Sequence, residues 1–383
     1  MLKTLLPLLA VANLVLGTGA FIVTSILPQM AQALAVSVPM AGQAMSAYAL
    51  STALLAPILL VLTGHWPRRR AMLLGMALFA LGNVVCALAP SLPWLLAGRV
   101  VMGMGAMFTP VAAGVVVALA PPAQRGKALA LVFLGISLSY VIGLPLGTWL
   151  SSAHGWQAPI WLVALASALM MGLLAWWVPK DVQAPGASLA GLGALLRRPD
   201  VAAVLLMTLL YFSAIFVVIS FVVPVLQALV PMAPGTLGLT LMLFGVSGVV
   251  GTLVGGAAND RFGDRGTLST QLLVLATTMM VLPLAAGQWP LMMAVMLLWG
   301  TAGFGMMAPQ QSRLAALAPA HAPLLLSLNS SMLYIGTAAG AVLGGAAVPW
   351  LGFAQLSWAG APLALLALAV LWAAPRRLAA AAV

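Results

Sequence analysis

Side chains able to do acid–base, nucleophilic or metal chemistry are scarce in this 383-residue chain, which has four aspartates, no glutamate, three histidines and one cysteine. Asp181, Asp200, Asp260, Asp264, His65, His154, His321 and Cys86 are scattered, with no ligand spacing and no acid–base dyad. Neither a metal site, a cofactor site nor an enzyme active centre is therefore expected. The residue most at odds with its surroundings is Arg99, in "GRVVMGMGA" (98–106), the one charge between residues 71 and 124. A guanidinium in so apolar a run is costly unless backbone carbonyls, water or a carboxylate meet it. Its chemistry would be electrostatic, either proton handling or gating; the bland alternative is an arginine that snorkels to the headgroups. The other concentration of charge is "GGAANDRFGDRG" (255–266), where Asp260, Arg261 and Arg265 share one loop.

The elements that must position these groups follow from composition. With 64% hydrophobic residues, 5% charged residues and a mean hydropathy of +1.16, the chain lacks the polar surface of a water-soluble globule. Uncharged runs extend over 4–67, 71–124 (broken by Arg99), 128–179, 201–259, 266–312 and 314–375. The shortest is 47 residues, and a crossing takes about 20, so each run holds two helices and a connection. The sequence predicts an all-α membrane protein with twelve transmembrane helices near 5–28, 40–63, 71–90, 93–119, 127–151, 157–178, 201–228, 235–258, 267–286, 289–314, 324–348 and 356–374. Arg99 then lies about 6 residues from the outer end of the fourth span, roughly 9 Å deep. Cys86 falls in the third span and has no partner for an internal disulfide.

Paired crossings return every charge cluster to one face. Lys3, Arg68 to Arg70, Arg125 with Lys127, Lys180 with Arg197 and Arg198, Arg261 with Arg265, Arg313, and Arg376 with Arg377 make up every cation except Arg99. By the positive-inside rule that face is cytoplasmic, with both termini inside and the chain in the cell (inner) membrane. The net charge of +11 thus orients the chain and needs no nucleic acid as partner. The apolar N-terminal stretch continues to Pro28, too long for a signal-peptide core, so it reads as a retained first span. Residues 179–200 read as a cytoplasmic linker with a short surface helix turning Leu189, Leu192, Leu195 and Leu196 to lipid. They divide the chain into six-helix bundles at 1–178 and 201–383. An internal repeat supports the division. A shift of 196 lays "FIVTSILP" (21–28) on "FVVISFVVP" (216–224), brings Pro28 onto Pro224 and leaves Phe21 one place from Phe216. The same shift puts Gly64 on Asp260, and a shift of 197 lays "GLPLG" (143–147) on "GAVLG" (340–344).

The loop at 255–266 fits GxxxDRxGxR, and on it the chain resembles the major facilitator superfamily. "GRVVMGMGA" resembles that family's helix-4 pattern RxxxGxGxA, and "GISLSYVIGLPLG" (135–147) resembles the glycine and proline pattern of helix 5 in its antiporters. "AFIVTSILPQMAQALAVSVPMAGQAMSAYAL" (20–50) and "GLPLGTWLSSAHGWQAPIW" (143–161) look like the drug/proton antiporter branch with twelve helices, similar to chloramphenicol, arabinose and purine nucleoside exporters. The resemblance covers nearly the whole chain. It implies two pseudo-symmetric bundles, alternating access, efflux, protons and a small-molecule substrate as partners beside membrane lipid, and a monomer. Arg99, Asp260, Arg261 and Arg265, with Gly143, Pro145 and Gly147, are the implied gating and coupling residues. By repeat symmetry Asp260 would face the start of helix 5, near Gln124 to Lys127, as a latch. Gly64 and His65 stand where the first-half loop would carry its acid and arginine, so Arg68 to Arg70 read as orienting charges. Glycines 135, 143, 147, 336, 340 and 344 form smooth stripes on helices 5 and 11, expected where the bundles slide.

Two departures bear on mechanism. Members of this branch carry a helix-1 acid in a GTxEF context, whereas this chain has "GTGAF" (17–21) with Ala20 at the acidic position, and no expected span contains an acid. Organic cations would be unpaired in such a cavity. Proton antiport, an uncoupled facilitator, substrate exchange and a non-transporting sensor or scaffold all remain open. The resemblance implies a cavity between helices 1, 2, 4, 5, 7, 8, 10 and 11, with Asn13, Thr18, Ser25, Gln43, Ser46, Tyr48, Ser137, Tyr140, Tyr211, Ser213, Gln310, Gln311, Asn329, Ser330 and Tyr334 as polar candidates. Apolar walls with a few hydroxyls and amides suit a neutral or amphipathic molecule such as a drug, nucleoside or sugar-like solute.

Overall fold

The computed structural model describes residues 2–121, 124–180, 182, 197–318 and 322–374, and every regular element among them is helical. Ten stretches are long and apolar enough to cross a membrane. One of them, Pro234–Ala285, is broken at Gly263 and counts twice, and Ser357–Ala373 is a shorter apolar helix, which together make the twelve crossings expected. We number them α1 (Leu2–Ala33), α2 (Val38–Leu62), α3 (Arg68–Ala87), α4 (Leu92–Leu119), α5 (Lys127–His154), α6 (Gln157–Trp177), α7 (Pro199–Ile219, continued by Val222–Leu229), α8 (234–262), α9 (264–281), α10 (Trp289–Leu317), α11 (Ala322–Leu351) and α12 (Ser357–Ala373). Gly263 has φ 75°, a conformation open to glycine at no steric cost, and so the chain turns between α8 and α9 without a loop. Exposed tryptophans lie near the ends of several helices, among them Trp94, Trp149 and Trp350 at one level and Trp176 and Trp372 at the other, as in an interfacial belt.

Some boundaries differ from expectation. α1 does not stop at Pro28 but runs through it to Ala33, since within a bilayer a helix keeps its remaining backbone bonds across a proline. α5 contains a π-helical turn at Ser139–Gly143, directly before Pro145, which has no N–H to continue the regular ladder. The surface helix expected within 179–200 lies outside the described residues, as do Asp181, His321, Arg376 and Arg377.

The repeat is visible in how each set of six helices is tied together. In the first, the amide of Asn13 on α1 donates to the carbonyl of Val132 on α5 (3.1 Å) and accepts from Thr109 on α4 (2.8 Å). In the second, Thr208 on α7 donates to Asn329 on α11 (2.6 Å) and accepts from Gln310 on α10 (2.6 Å). Each clamp joins the helices at positions 1, 4 and 5 of its set. The basic residues repeat as well. Arg69 at the start of α3 donates to the carbonyl of Ala175 at the end of α6, and Arg265, 196 positions on, donates to Trp372 (2.7 Å) and Ala374 (3.4 Å) at the end of α12. Arg69 is therefore a helix C-cap as well as an orienting charge.

The glycine stripes of α5 and α11 lie inside the sets and not between them. A Cβ on Gly143 would meet Thr18 of α1 at 2.5 Å, and one on Gly147 would meet Ile22 at 2.6 Å; on Gly340 and Gly344 it would meet the carbonyls of Ser213 and Val217 of α7 at 2.5 and 2.6 Å. Sliding between sets is thus not what these glycines serve here. The two sets touch along other seams. On one, Ser46 of α2 donates to the carbonyl of Ala338 of α11 (3.4 Å) and a Cβ on Gly42 would strike Phe221. On the other, Gly245 of α8 lies against the π-turn backbone, its Cβ position 2.6 Å from Tyr140. Gly42, Ser46 and Phe221 sit toward the ends of their helices remote from the termini, whereas Gly245 and Tyr140 meet near mid-helix. We expect Gly340→Val to cost about 1–3 kcal/mol by overpacking, read as a lower melting temperature in detergent. Gly172→Val, where nothing lies within 4 Å of the added atom, should be near neutral. Equal effects would refute this account of the stripe.

Candidate functional site

Arg99 is 1% exposed and does not snorkel. The motif's own glycines bring it into place: a Cβ on Gly103 would lie 2.6 Å from the Tyr48 carbonyl, and one on Gly105 2.7 Å from the Gly75 carbonyl, so α4 wedges closely between α2 and α3. Ser51 reinforces this by donating to the Val100 carbonyl (2.6 Å). Each of the five guanidinium N–H groups then has an acceptor. Nε donates to Ala44 O (3.0 Å), Nη1 to Gly19 O (2.9 Å) and Met102 Sδ (3.8 Å), and Nη2 to Ala20 O (2.7 Å) and Met45 Sδ (3.9 Å). The plane also stacks on Tyr48, with Cζ 4.7 Å from the ring centroid. The position where an acid is implied by resemblance thus contributes its backbone carbonyl, and no carboxylate takes part.

Next to this centre the two sets meet through rings. Phe21 of α1 lies 4.6 Å from Tyr140 of α5 and 6.1 Å from Phe216 of α7. Tyr140 lies 5.0 Å from Phe304 of α10, which lies 6.0 Å from Phe244 of α8. Tyr48 of α2 meets Tyr334 of α11 edge-on at 6.5 Å. This aromatic layer takes a residue from seven of the eight helices implied to line the cavity, and Arg99 supplies the eighth. Beyond it, on the side away from the termini, a small cleft of about 180 Å³ opens between Pro28, Gln29, Thr148, Ser152, Val223, Gln227, Pro234 and Leu237.

The candidates from sequence divide accordingly. Tyr48, Tyr140 and Tyr334 are in the layer. Asn13, Gln310 and Asn329 are consumed in the clamps, and Tyr211 donates to the Gly303 carbonyl (2.9 Å), tying α7 to α10. Gln43 accepts from Ser46 (3.1 Å) on the α2–α11 seam, Ser25 and Ser213 bond their own helices, and Thr18 and Ser137 are half-buried on α1 and α5. Gln311 and Ser330 are exposed at the terminus-side ends of α10 and α11. Phe21, Phe216, Phe244 and Phe304 belong to the layer without a polar group to mark them in the sequence. The repeat came close to two of them: the shift of 196 leaves Phe21 one place from Phe216, and their rings meet at 6.1 Å.

The charged loop departs from expectation. Asp260 is exposed, with no ion-pair partner among the described residues, and Arg261 lies over its neighbour Phe262 at 5.2 Å. The acid that does pair is Asp264, 3.9 Å from Arg313 of α10. With the seams closed at the far end, the latch between Asp260 and the start of α5 is not made. A second tie at this level joins Arg198 to Asp200 (2.8 Å) and to the Leu317 carbonyl that ends α10 (3.2 Å); the hydrogen bond that Arg198 donates to the Asp200 carboxylate raises the guanidinium's pKa above its ordinary value.

Comparison with known proteins agrees with this architecture. The family model described as Major Facilitator Superfamily matches residues 9–322 and 230–382. The chain is 34% identical over 379 residues to the inner membrane transport protein YdhP of Escherichia coli (strain K12), covering 97% of this chain and 96% of that one. It is 27% identical over 365 residues, 95% of this chain and 91% of the other, to a probable sugar efflux transporter of Mannheimia succiniciproducens. In structure it is similar, with a TM-score of 0.83, 16% identity and coverage of 97% and 96%, to a bacterial homologue of the human lysosomal transporter Spinster. A twelve-helix chain built on a repeated six-helix plan, with a family match across nearly its whole length, belongs to the major facilitator superfamily and is a multi-pass membrane transporter.

Proposed function

We propose that this protein exports a small neutral or amphipathic solute, drug-, nucleoside- or sugar-like, by alternating access between two bundles, 1–178 and 201–383, with both termini cytoplasmic. The observation that supports the reading is the aromatic layer between the sets, with the tight α2–α11 seam of Gly42, Ser46 and Phe221 lying toward the end away from the termini. In this reading the state is inward-open, and rocking about the layer would part the α2–α11 and α5–α8 seams while bringing Asp260 to the start of α5. The relative named a probable sugar efflux transporter supports outward transport. The family implies proton antiport. The neutral acceptors around Arg99, and the placing of Asp200, Asp260 and Asp264 at helix ends, favour the uncoupled facilitator or exchanger instead.

Proteoliposomes preloaded with arabinose, inosine or thiamphenicol should show counterflow of the matching radiolabelled solute for at least one of the three, at a rate that an imposed pH gradient does not change. Concentrative movement that follows the gradient would restore antiport, and the absence of counterflow for every solute tried would favour the non-transporting scaffold. Arg99→Ala should cost about 2–5 kcal/mol through lost charge-assisted bonds and the cavity left behind, and should lower flux because α1 is no longer held against α4. A variant of unchanged melting temperature and undiminished flux would remove Arg99 from both roles.

A further inference from the structure

Arg99 is the one charged side chain set at membrane depth among the described residues, and every group touching it is neutral: the carbonyls of Gly19, Ala20 and Ala44, the sulfurs of Met45 and Met102, and the Tyr48 ring. Hydrogen bonds to neutral acceptors satisfy its protons but do not cancel its charge. Its field reaches the aromatic layer. Cζ is 4.7 Å from the centroid of Tyr48, whose ring is 6.5 Å from that of the half-buried Tyr334, so the Tyr334 ring lies no more than about 11 Å from the guanidinium. The terminus-side end adds to this field. Arg125 and Lys127 are exposed at the start of α5, and Arg313 on α10 has an Nη1 without a hydrogen-bond partner among the described residues. Asp260 and Asp264 are the acids on α8 and α9 at that level, and Asp264 is engaged with Arg313. The described loops at the opposite end carry no aspartate, lysine or arginine.

We infer that the amphipathic solute is an organic monoanion, and that its export is driven by the membrane potential with no coupling ion. This rests on the transport reading above and names the substrate class within it. A unit charge about 10 Å away, at an effective dielectric near 20, favours an anion over a neutral isostere by roughly tenfold, and disfavours a cation by as much again. The same inference answers a question that Ala20 raises, namely what free energy drives export when the spans hold no acid to protonate. Moving one negative charge outward across an inside-negative membrane is downhill by about fiftyfold in concentration per 100 mV. An uncoupled carrier of anions is thus an exporter, whereas the same carrier of cations would be an importer.

Three aryl probes of similar shape and different charge decide the matter: benzenesulfonate, benzenesulfonamide and phenyltrimethylammonium, each radiolabelled. They are offered to proteoliposomes holding the full chain, under potassium-valinomycin potentials of either sign. Benzenesulfonate should accumulate only with the interior positive, and be carried roughly tenfold better than benzenesulfonamide and far better than the cation. Arg99→Gln, which keeps amide donors for the carbonyls of α1 and removes the charge, should erase most of that preference, while Arg99→Lys should keep it. If neither variant folds, the wild-type series decides alone. Carriage of the sulfonamide or the cation in preference to the sulfonate overturns the inference and leaves the transport reading standing. Carriage of none of the three overturns it too, and the counterflow series with arabinose, inosine and thiamphenicol then tells whether the transport reading falls with it. A folded Arg99→Gln protein with unaltered preference overturns the inference as drawn, since the preference then does not come from the Arg99 charge.

Discussion

A guanidinium enclosed by lipid-spanning helices must find an acceptor for every N–H, and Arg99 does so only where α1, α2 and α4 converge. That requirement fixes three helices at once. The backbones of α1 and α2 have to turn carbonyls toward a single point, and α4 has to approach closely enough for a side chain to reach both. Gly103 and Gly105 permit that approach, with carbonyls and side chains of α2 and α3 occupying the space a Cβ would need. An isolated buried ion costs several kcal/mol, whereas one that is fully hydrogen-bonded by preorganised dipoles is tolerable. A carboxylate in place of Ala20 would have offset the charge as well as the protons. Without it the centre is a structural staple that retains a net positive field.

The contrast between ties within and between the sets is energetic as well as geometric. Within each set the clamps are buried amides and hydroxyls, and opening one would strand polar atoms at a depth where water cannot replace them. Between the sets the contacts are mostly rings and small residues, with one long hydroxyl-to-carbonyl bond of 3.4 Å from Ser46. Dispersion contacts can be broken and remade elsewhere without leaving an unsatisfied donor. A molecule so tied is held by polar links within each set and by dispersion contacts between them, the arrangement that the proposed alternating access requires.

Much of this was legible in sequence, because the bilayer constrains it strongly. Charge spacing gave twelve crossings, since uncharged runs of 47 residues or more accommodate two spans each. The depth of Arg99 followed from its place in the fourth span, and the RxxxGxGxA glycines did mark a close approach. What could not be read was which face of each helix meets which neighbour. Helices that are apolar on every side carry almost no amphipathic signal, so the glycine stripes looked as suited to the seam as to the interior of a set. Polar residues were equally ambiguous: Asn13, Gln310 and Asn329 have the chemistry of a binding site, yet are spent on Thr109, Thr208 and backbone carbonyls. The phenylalanines carry no hydrogen-bonding group to mark them, although the repeat left Phe21 one place from Phe216.

The two copies of the inner loop show which part of the motif every state needs. Arg69 and Arg265 both survive at equivalent positions, and both end a helix by taking up its last carbonyls, an interaction internal to one set and so present whatever the sets do relative to each other. The acid is different. Asp260 has its partner across the seam in the latch reading, so it contributes only when the terminus-side end is closed, and its exposure here accords with a conformation closed at the opposite end. Gly64 in the first copy then removes a contact made in one state while leaving the cap intact. In that reading, one latch instead of two makes the closed terminus-side state less favourable relative to the open one. The same reading leaves the terminus-side opening as the favoured resting state.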